Sequence, residues 1–112
     1  MLPVPEDLRR RARTVGNGEM FWPLSVAPAV ARALAAAGLA ICGGEVYVGR
    51  GRTWGNLELE WLTEPGPQTN VERGLAAALA ALDRARDLFP YGSTEDVAEA
   101  MCFFAIDSDE LR

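Results

Sequence analysis

The stretch that decides the fold is ICGGEVYVGRGRTWGNLELEW, residues 41–61. Two runs in this part of the chain, EVYV at 45–48 and LELEWL at 57–62, alternate apolar and polar residues, which is typical of strands with one buried face. We predict that the two runs form a β-hairpin. The residues expected to face the core are Val46, Val48, Leu57, Leu59 and Trp61. The residues expected on the opposite face are Glu45, Tyr47, Glu58 and Glu60.

The glycines of this stretch could instead belong to a phosphate-binding loop. A dinucleotide-binding fingerprint needs three glycines at the turn between a strand and a helix. Here Gly49 and Gly51 are followed by Trp54 at the third position, and then by a strand. A P-loop needs a lysine, and all 11 basic residues of this chain are arginines. The pattern therefore favours a long hairpin connection with Arg50 and Arg52 at its tip.

Extended segments are also expected before the hairpin. LAIC at 39–42 is a strand candidate, and Gly43 and Gly44 would let the chain bend or bulge before the next strand. MFW at 20–22 is expected to be a short extended piece that ends at Pro23.

Two helices are predicted in the N-terminal third. A short one is expected around 8–13. The second would begin after Ser25, whose hydroxyl can accept a hydrogen bond from an amide of the first turn, and would end at Gly38. Its buried face is expected to consist of residues that recur at helical spacing, namely Val26, Val30, Leu34 and Ala37.

A third helix is predicted from the capping box formed by Thr69 and Glu72 to about Phe89, just before Pro90. Gly74 in its first turn disfavours a helix by about 1 kcal/mol relative to alanine, so we expect a close packing contact there. The residues at the spacing of one helix face are Val71, Leu75, Leu79, Leu82, Arg86 and Phe89, with Arg86 at the edge of the stripe.

The C-terminal segment permits two interpretations. Ser93 or Thr94 could cap a helix that carries Val97, Met101 and Phe104 at helical spacing. Residues 101–106 could instead form a strand, and we favour the helix.

These elements predict an α+β fold in one domain over residues 1–112. A small antiparallel sheet of about three strands, with the hairpin at its centre, would be packed by two or three helices. Residues 1–14 could form a loosely attached arm.

The charge of the chain limits its partners. It has 16 acidic and 11 basic residues, and the net charge of -5 repels nucleic acid and anionic membranes. The arginine-rich run at 9–13 lies beside Glu6 and Asp7, so a solvated helix face is preferred to a nucleic-acid patch. No apolar run approaches the ~20 residues that cross a bilayer, and no secretory signal pattern opens the chain. We expect a cytoplasmic protein with a basic partner, in which Cys42 and Cys102 are buried thiols.

The residue types present exclude several kinds of active site. The chain has no histidine, which removes catalytic triads and Cys–His pairs, and two distant cysteines do not make a zinc site. Glu45, Glu58 and Glu60 could form an acid–base pair across the hairpin, but a solvated sheet face explains them equally well. We therefore expect no catalytic residues, no metal and no cofactor. Trp54, in the hairpin connection, is a candidate binding anchor.

The motif ICGGEVYV at 41–48 resembles the I-L-G-G-D-V-Y core of bacterial polymorphic-toxin immunity proteins of the immunity protein 40 family. Cys42 stands in place of leucine, and Glu45 in place of aspartate. The order of an alanine-rich helix, this motif, a tryptophan-containing strand and a long amphipathic helix is also similar, over residues 15–90. The resemblance implies a cytosolic protein that binds and neutralises a cognate toxin and has no catalytic activity.

Within that interpretation, the carboxylates would pair with cations of a basic toxin domain, and Trp54 would enter a pocket. The expected contact residues are Glu45, Tyr47, Arg52, Trp54, Glu58 and Glu60. Two other classes stay open. One is an adaptor or homodimer whose sheet edge pairs with its own copy. The other is a small-ligand-binding or carboxylate-based hydrolytic domain.

Overall fold

The computed structural model describes residues 4–14, 19–50, 53–62, 71–88 and 99–106, with side-chain detail for these except 48–50, 53–58, 88, 99–101 and 103. Within them the chain forms three helices and five strands, which confirms the α+β class. In chain order these are α1 (Glu6–Arg10), β1 (Arg13–Thr14), β2 (Met20–Pro23), α2 (Ala27–Ala36), β3 (Ile41–Arg50), β4 (Thr53–Leu62), α3 (Val71–Leu88) and β5 (Glu99–Ile106).

The strands lie in the order β1-β2-β5-β3-β4, and every neighbouring pair is antiparallel. The predicted hairpin is confirmed as β3 and β4, but the described part of the sheet has five strands rather than about three. The hairpin lies at one edge of this sheet rather than at its centre, because β5 pairs with the other side of β3. The preferred helix through 101–106 is wrong, because this segment is β5 and fills the space between β2 and β3. Its apolar run lacks alternation, and such runs are compatible with either structure. Cys102 and Phe104 are buried in the core.

β3 runs without interruption through Gly43 and Gly44, so the predicted bend between two separate strands is wrong. The glycines provide space instead. A Cβ atom on Gly44 would overlap the indole of Trp61, and one on Gly43 would lie 2.6 Å from the Trp61 carbonyl oxygen. The irregularity in β3 lies at Cys42, which has no partner on β5 between the pairs Ile41–Ile106 and Gly43–Ala105.

The hairpin register confirms most of the predicted faces. Val46 and Trp61 are buried and Leu59 packs against the core, whereas Glu45 and Tyr47 are half-buried and Glu60 is exposed. Alternation breaks at Glu58, a bulge residue between the pairs Val46–Leu59 and Tyr47–Leu57. Past the bulge, Leu57 pairs with Tyr47. The predicted faces of Val48, Leu57 and Glu58 lie outside the described side chains.

Helix α2 presents Ala27, Val30, Ala31 and Leu34 to the core. The predicted cap is wrong, because Val26 occupies the N-cap position with helical torsion angles and Ser25 is exposed. Ala37 is also exposed rather than buried. The predicted end is confirmed, since Gly38 has a φ of 83°, in the left-handed region that glycine adopts readily.

Helix α3 confirms part of the predicted stripe, since Leu82 is buried and Leu75 and Leu79 pack against the core, but most of its buried positions are small residues. Its buried positions are Gly74, Ala78, Ala81, Leu82 and Ala85, whereas Val71, Leu75 and Leu79 are half-buried and Arg86 is exposed. The close contact at Gly74 is confirmed, because a Cβ atom there would lie 2.5 Å from the Ile41 carbonyl oxygen. Small side chains bring the helix axis close to the sheet, which is why the larger residues flank the contact. Thr69 and Phe89, the predicted ends, lie outside the described residues.

The N-terminal segment is anchored on the core. Val4 is buried, and the Leu8 carbonyl accepts a hydrogen bond of 2.8 Å from the Trp22 indole. These contacts attach the described part of segment 1–14 to the core, whereas we expected that it could be a loose arm. The short helix begins at Glu6 and ends at Arg10, earlier than predicted, and Arg13 already belongs to β1.

Candidate functional site

The helices leave one face of the sheet open over the residues that the structure describes. Both α2 and α3 contribute to a single apolar cluster that includes Val46, Trp61 and Phe104. The opposite face of the same strands carries five side chains that lie next to one another or alternate along one strand. We call this set the open face: Phe21, Glu45, Tyr47, Glu60 and Leu62.

Tyr47 is the centre of the open face. Its hydroxyl donates a hydrogen bond of 2.8 Å to Oε2 of Glu45, two residues earlier on the same strand. The Tyr47 ring also contacts the Phe21 ring on β2 edge to face, with ring centroids 5.5 Å apart and an interplanar angle of 75°. This geometry is favourable for aromatic pairs, so the position of Tyr47 is determined from both sides.

The surroundings of Tyr47 keep its phenol protonated. Burial, the hydrogen bond to Glu45 and the negative charges of Glu45, Glu19 and Glu60 together raise the pKa of Tyr47 to about 12. Each of these carboxylates opposes formation of a phenolate beside it. The hydroxyl therefore remains a hydrogen-bond donor to a higher pH than an ordinary tyrosine, within an acidic environment.

Glu45 and Glu60 are direct cross-strand partners on β3 and β4. Like charges at such positions destabilise a sheet. A cationic group placed between the two carboxylates would relieve this repulsion and gain charge-assisted hydrogen bonds. The arrangement is therefore suited to an arginine or lysine side chain of a partner.

Leu62 adds an apolar contact beside the carboxylates. Its side chain is 79% exposed, and it lies on β4 two residues beyond Glu60, so both side chains are on the same side of the strand. It is the exposed large hydrophobic residue among those with described side chains. An acidic pair next to an exposed leucine combines charge with apolar surface, as the contact surfaces of protein complexes commonly do.

The structure brings together three of the six predicted contact residues, Glu45, Tyr47 and Glu60. Trp54 and Glu58 lie on β4, where only their backbone is described, and Arg52 lies outside the described residues. Sequence reasoning missed Phe21 and Leu62. The alternation of Leu62 with Glu60 could have identified it, whereas the contact of Phe21 with Tyr47 depends on β2 and β3 flanking β5 in the folded sheet.

The two thiols have contacts within the fold. Burial raises the pKa of the Cys102 thiol far above its usual range, and Cys42 Sγ donates a hydrogen bond of 3.3 Å to the Ala105 carbonyl oxygen. Cys102 is buried as predicted, whereas Cys42 is only half-buried. Both thiols therefore serve packing and backbone hydrogen bonding in this fold. No cluster of three or more histidine, cysteine, aspartate or glutamate side chains suited to a metal ion occurs in the described ranges.

Comparison with known proteins leaves the open face as the main guide to function. No protein-family model, no curated protein and no solved structure matches this chain. Among the described helices, none has the length and apolar character needed to cross a membrane.

Proposed function

We propose that this chain is a cytosolic immunity protein that binds and neutralises a cognate bacterial toxin domain through its open face. The observation that carries the proposal is the pairing of Glu45 with Glu60 directly across the hairpin, beside Tyr47 and an exposed Leu62. The resemblance of ICGGEVYV to the core motif of such proteins points the same way.

Binding would begin with long-range attraction. The net charge of -5 raises the rate at which a basic domain encounters the protein, and the carboxylates of the open face orient it. A partner arginine would then pair with Glu45 and Glu60. The half-buried ring of Tyr47 and the Leu62 side chain supply surface that loses water in the complex. Neutralisation follows from occupancy of the toxin surface.

Two contacts hold the open face in one conformation, which suits binding without a change of shape. The Tyr47 ring is held by Phe21 on one side, and its hydroxyl is held by Glu45 on the other. The face is therefore preorganised, which lowers the entropy lost on association. The orientation of Glu45 is also set before the partner arrives.

The proposal requires that a protein with a toxin domain is encoded next to this chain, and the test uses that domain. We expect the two to co-purify, and we expect co-expression to protect cells from the domain. The E45Q/E60Q variant should associate about tenfold more slowly at low salt, because it removes the charges that steer the partner.

A matched control removes the same number of negative charges from a surface away from the open face. Asp83 and Asp87 are both exposed on α3, which packs against the other face of the sheet. The D83N/D87N variant should reduce the association rate less than about twofold, because more distant charges are screened by salt. Equal effects of the two double variants, or no complex with the neighbouring domain, would contradict the proposal.

A further inference from the structure

The two edges of the sheet differ greatly in length. β1 forms one edge with only two residues, Arg13 and Thr14, whereas β4 forms the other with the ten residues Thr53–Leu62. Short, charged edge strands are a common protection against pairing with another chain. Within the described residues, no strand pairs with the outer side of β4.

Bulges restrict the regular part of the β4 edge to one segment. Glu58 and Gly55 have no direct partners on β3, whereas Leu59–Leu62 pairs with Gly43–Val46 without a break. A bulge locally increases twist and disrupts the ladder, so the edge before Leu59 is poorly suited to a further strand. Over the four residues from Leu59 to Leu62, the outer backbone groups remain regularly spaced.

The side chains of this segment define what could lie beside it. Leu59 packs against the core and Trp61 is buried in it, on the helix side, and Glu60 and Leu62 are exposed on the open face. Same-face positions on neighbouring strands lie about 5 Å apart. A strand added to this edge would therefore place alternate residues next to Glu60 and next to Leu62.

We infer that the β4 edge at Leu59–Leu62 accepts an extended strand of the toxin, with a cationic residue beside Glu60 and an apolar residue two positions away, beside Leu62. This inference rests on the proposed function and specifies how the toxin binds. Strand addition supplies affinity through main-chain hydrogen bonds and specificity through alternate side chains. It also places the cation close to Glu45, the cross-strand partner of Glu60.

Charge favours this occupant over a second copy of the chain. Two copies would each carry a net charge of -5 and would bring two copies of Glu60 to the same edge. Like charges at close cross-strand positions are unfavourable. A cationic toxin strand removes this repulsion.

The inference is tested by residue-resolved amide hydrogen exchange of the protein alone and in complex with the neighbouring toxin domain. We expect the amides of Leu59–Leu62 that point away from β3 to exchange at least about tenfold more slowly in the complex, because hydrogen-bonded amides exchange only on opening. A complex that leaves these amides unchanged overturns the inference and preserves the proposed function. Absence of a complex overturns both.

Two variants separate edge pairing from general charge effects. L62K should weaken the complex at least about tenfold, because a lysine there opposes an apolar contact and a cationic partner strand. T14K adds the same charge to the other edge and should change affinity less than about twofold. Equal effects of the two variants would overturn the inference in favour of nonspecific charge. Amide protection that increases with the concentration of the protein alone would overturn it in favour of pairing between two copies of the chain.

Discussion

Glu45 and Glu60 are directly opposite each other on the two strands of the β3–β4 hairpin, and the Glu45 carboxylate is also the acceptor for the Tyr47 hydroxyl. Two carboxylates at paired positions oppose folding, and among the described side chains the hydrogen bond from Tyr47 reaches Glu45 alone. The folded protein thus retains a local repulsion that a bound cation would relieve. This relationship connects the stability of the sheet with its proposed binding role.

The first prediction concerns this repulsion. E60Q should raise the free energy of unfolding by about 0.5 kcal/mol at low ionic strength, because it removes one of two like charges at paired positions. Denaturant titration measures the change, and added salt should reduce it. D83N, an exposed change on α3, should show no such gain. A loss of stability in E60Q would mean that its carboxylate has a favourable partner.

The second prediction concerns the contact between α3 and β3. G74A should lower the free energy of unfolding by about 2 kcal/mol, because overpacking outweighs the better helix propensity of alanine. The added Cβ atom would lie 2.5 Å from the Ile41 carbonyl oxygen and 2.8 Å from the Ile41 nitrogen. The control is A80G, at an exposed position of α3, which should cost about 1 kcal/mol through propensity alone. A more stable G74A would show that this contact is loose.

The third prediction concerns Gly44 and Trp61. G44A should destabilise the protein, because the methyl group would overlap the Trp61 indole. In W61L the same glycine change should be tolerated better, although W61L itself loses contacts with Phe104. A double-mutant cycle from denaturant titrations should give a coupling energy of at least about 1 kcal/mol. Additive effects would place the strain elsewhere.

The fourth prediction concerns Tyr47 and pH. Its pKa rises from 10.0 to about 12 on folding, so the folded state keeps a proton that the unfolded state releases. The corresponding stability is fully present below pH 10.0 and is lost as the pH rises towards about 12. Near-ultraviolet absorbance of tyrosinate should show one late-titrating tyrosine that is absent in Y47F, which retains Tyr91. Titration of Tyr47 near its ordinary value would contradict the arrangement of carboxylates around it.

Local sequence patterns predicted the hairpin correctly but misplaced the start of α2 and the buried face of α3. The hairpin followed from alternation because a strand with one buried face imposes a period of two. The start of α2 was not predicted correctly, since Ser25 lies within a turn that is closed by a hydrogen bond from the Val26 amide to the Pro23 carbonyl oxygen. The buried face of α3 was shifted, because leucines mark a plausible stripe, whereas contact with the sheet requires the smaller residues around Gly74.

The candidate site was predictable only where neighbours are close in sequence. Glu45, Tyr47 and Glu60 share the outward side of one hairpin, so local alternation was sufficient to group them. Phe21 joins them because β5 lies between β2 and β3 and brings distant segments into one sheet. The binding roles of Arg52, Trp54 and Glu58 stay predictions.

Local patterns were thus enough for the α+β class, the hairpin, the glycine end of α2 and the close approach at Gly74. These features depend on torsional preference and on periodicity within a few residues. The insertion of β5 into the sheet, the bulge at Glu58 and the contact of Phe21 with Tyr47 were decided in the folded chain. They depend on pairing between distant segments, whose energies come from burial and hydrogen bonding across the sheet rather than from any local repeat.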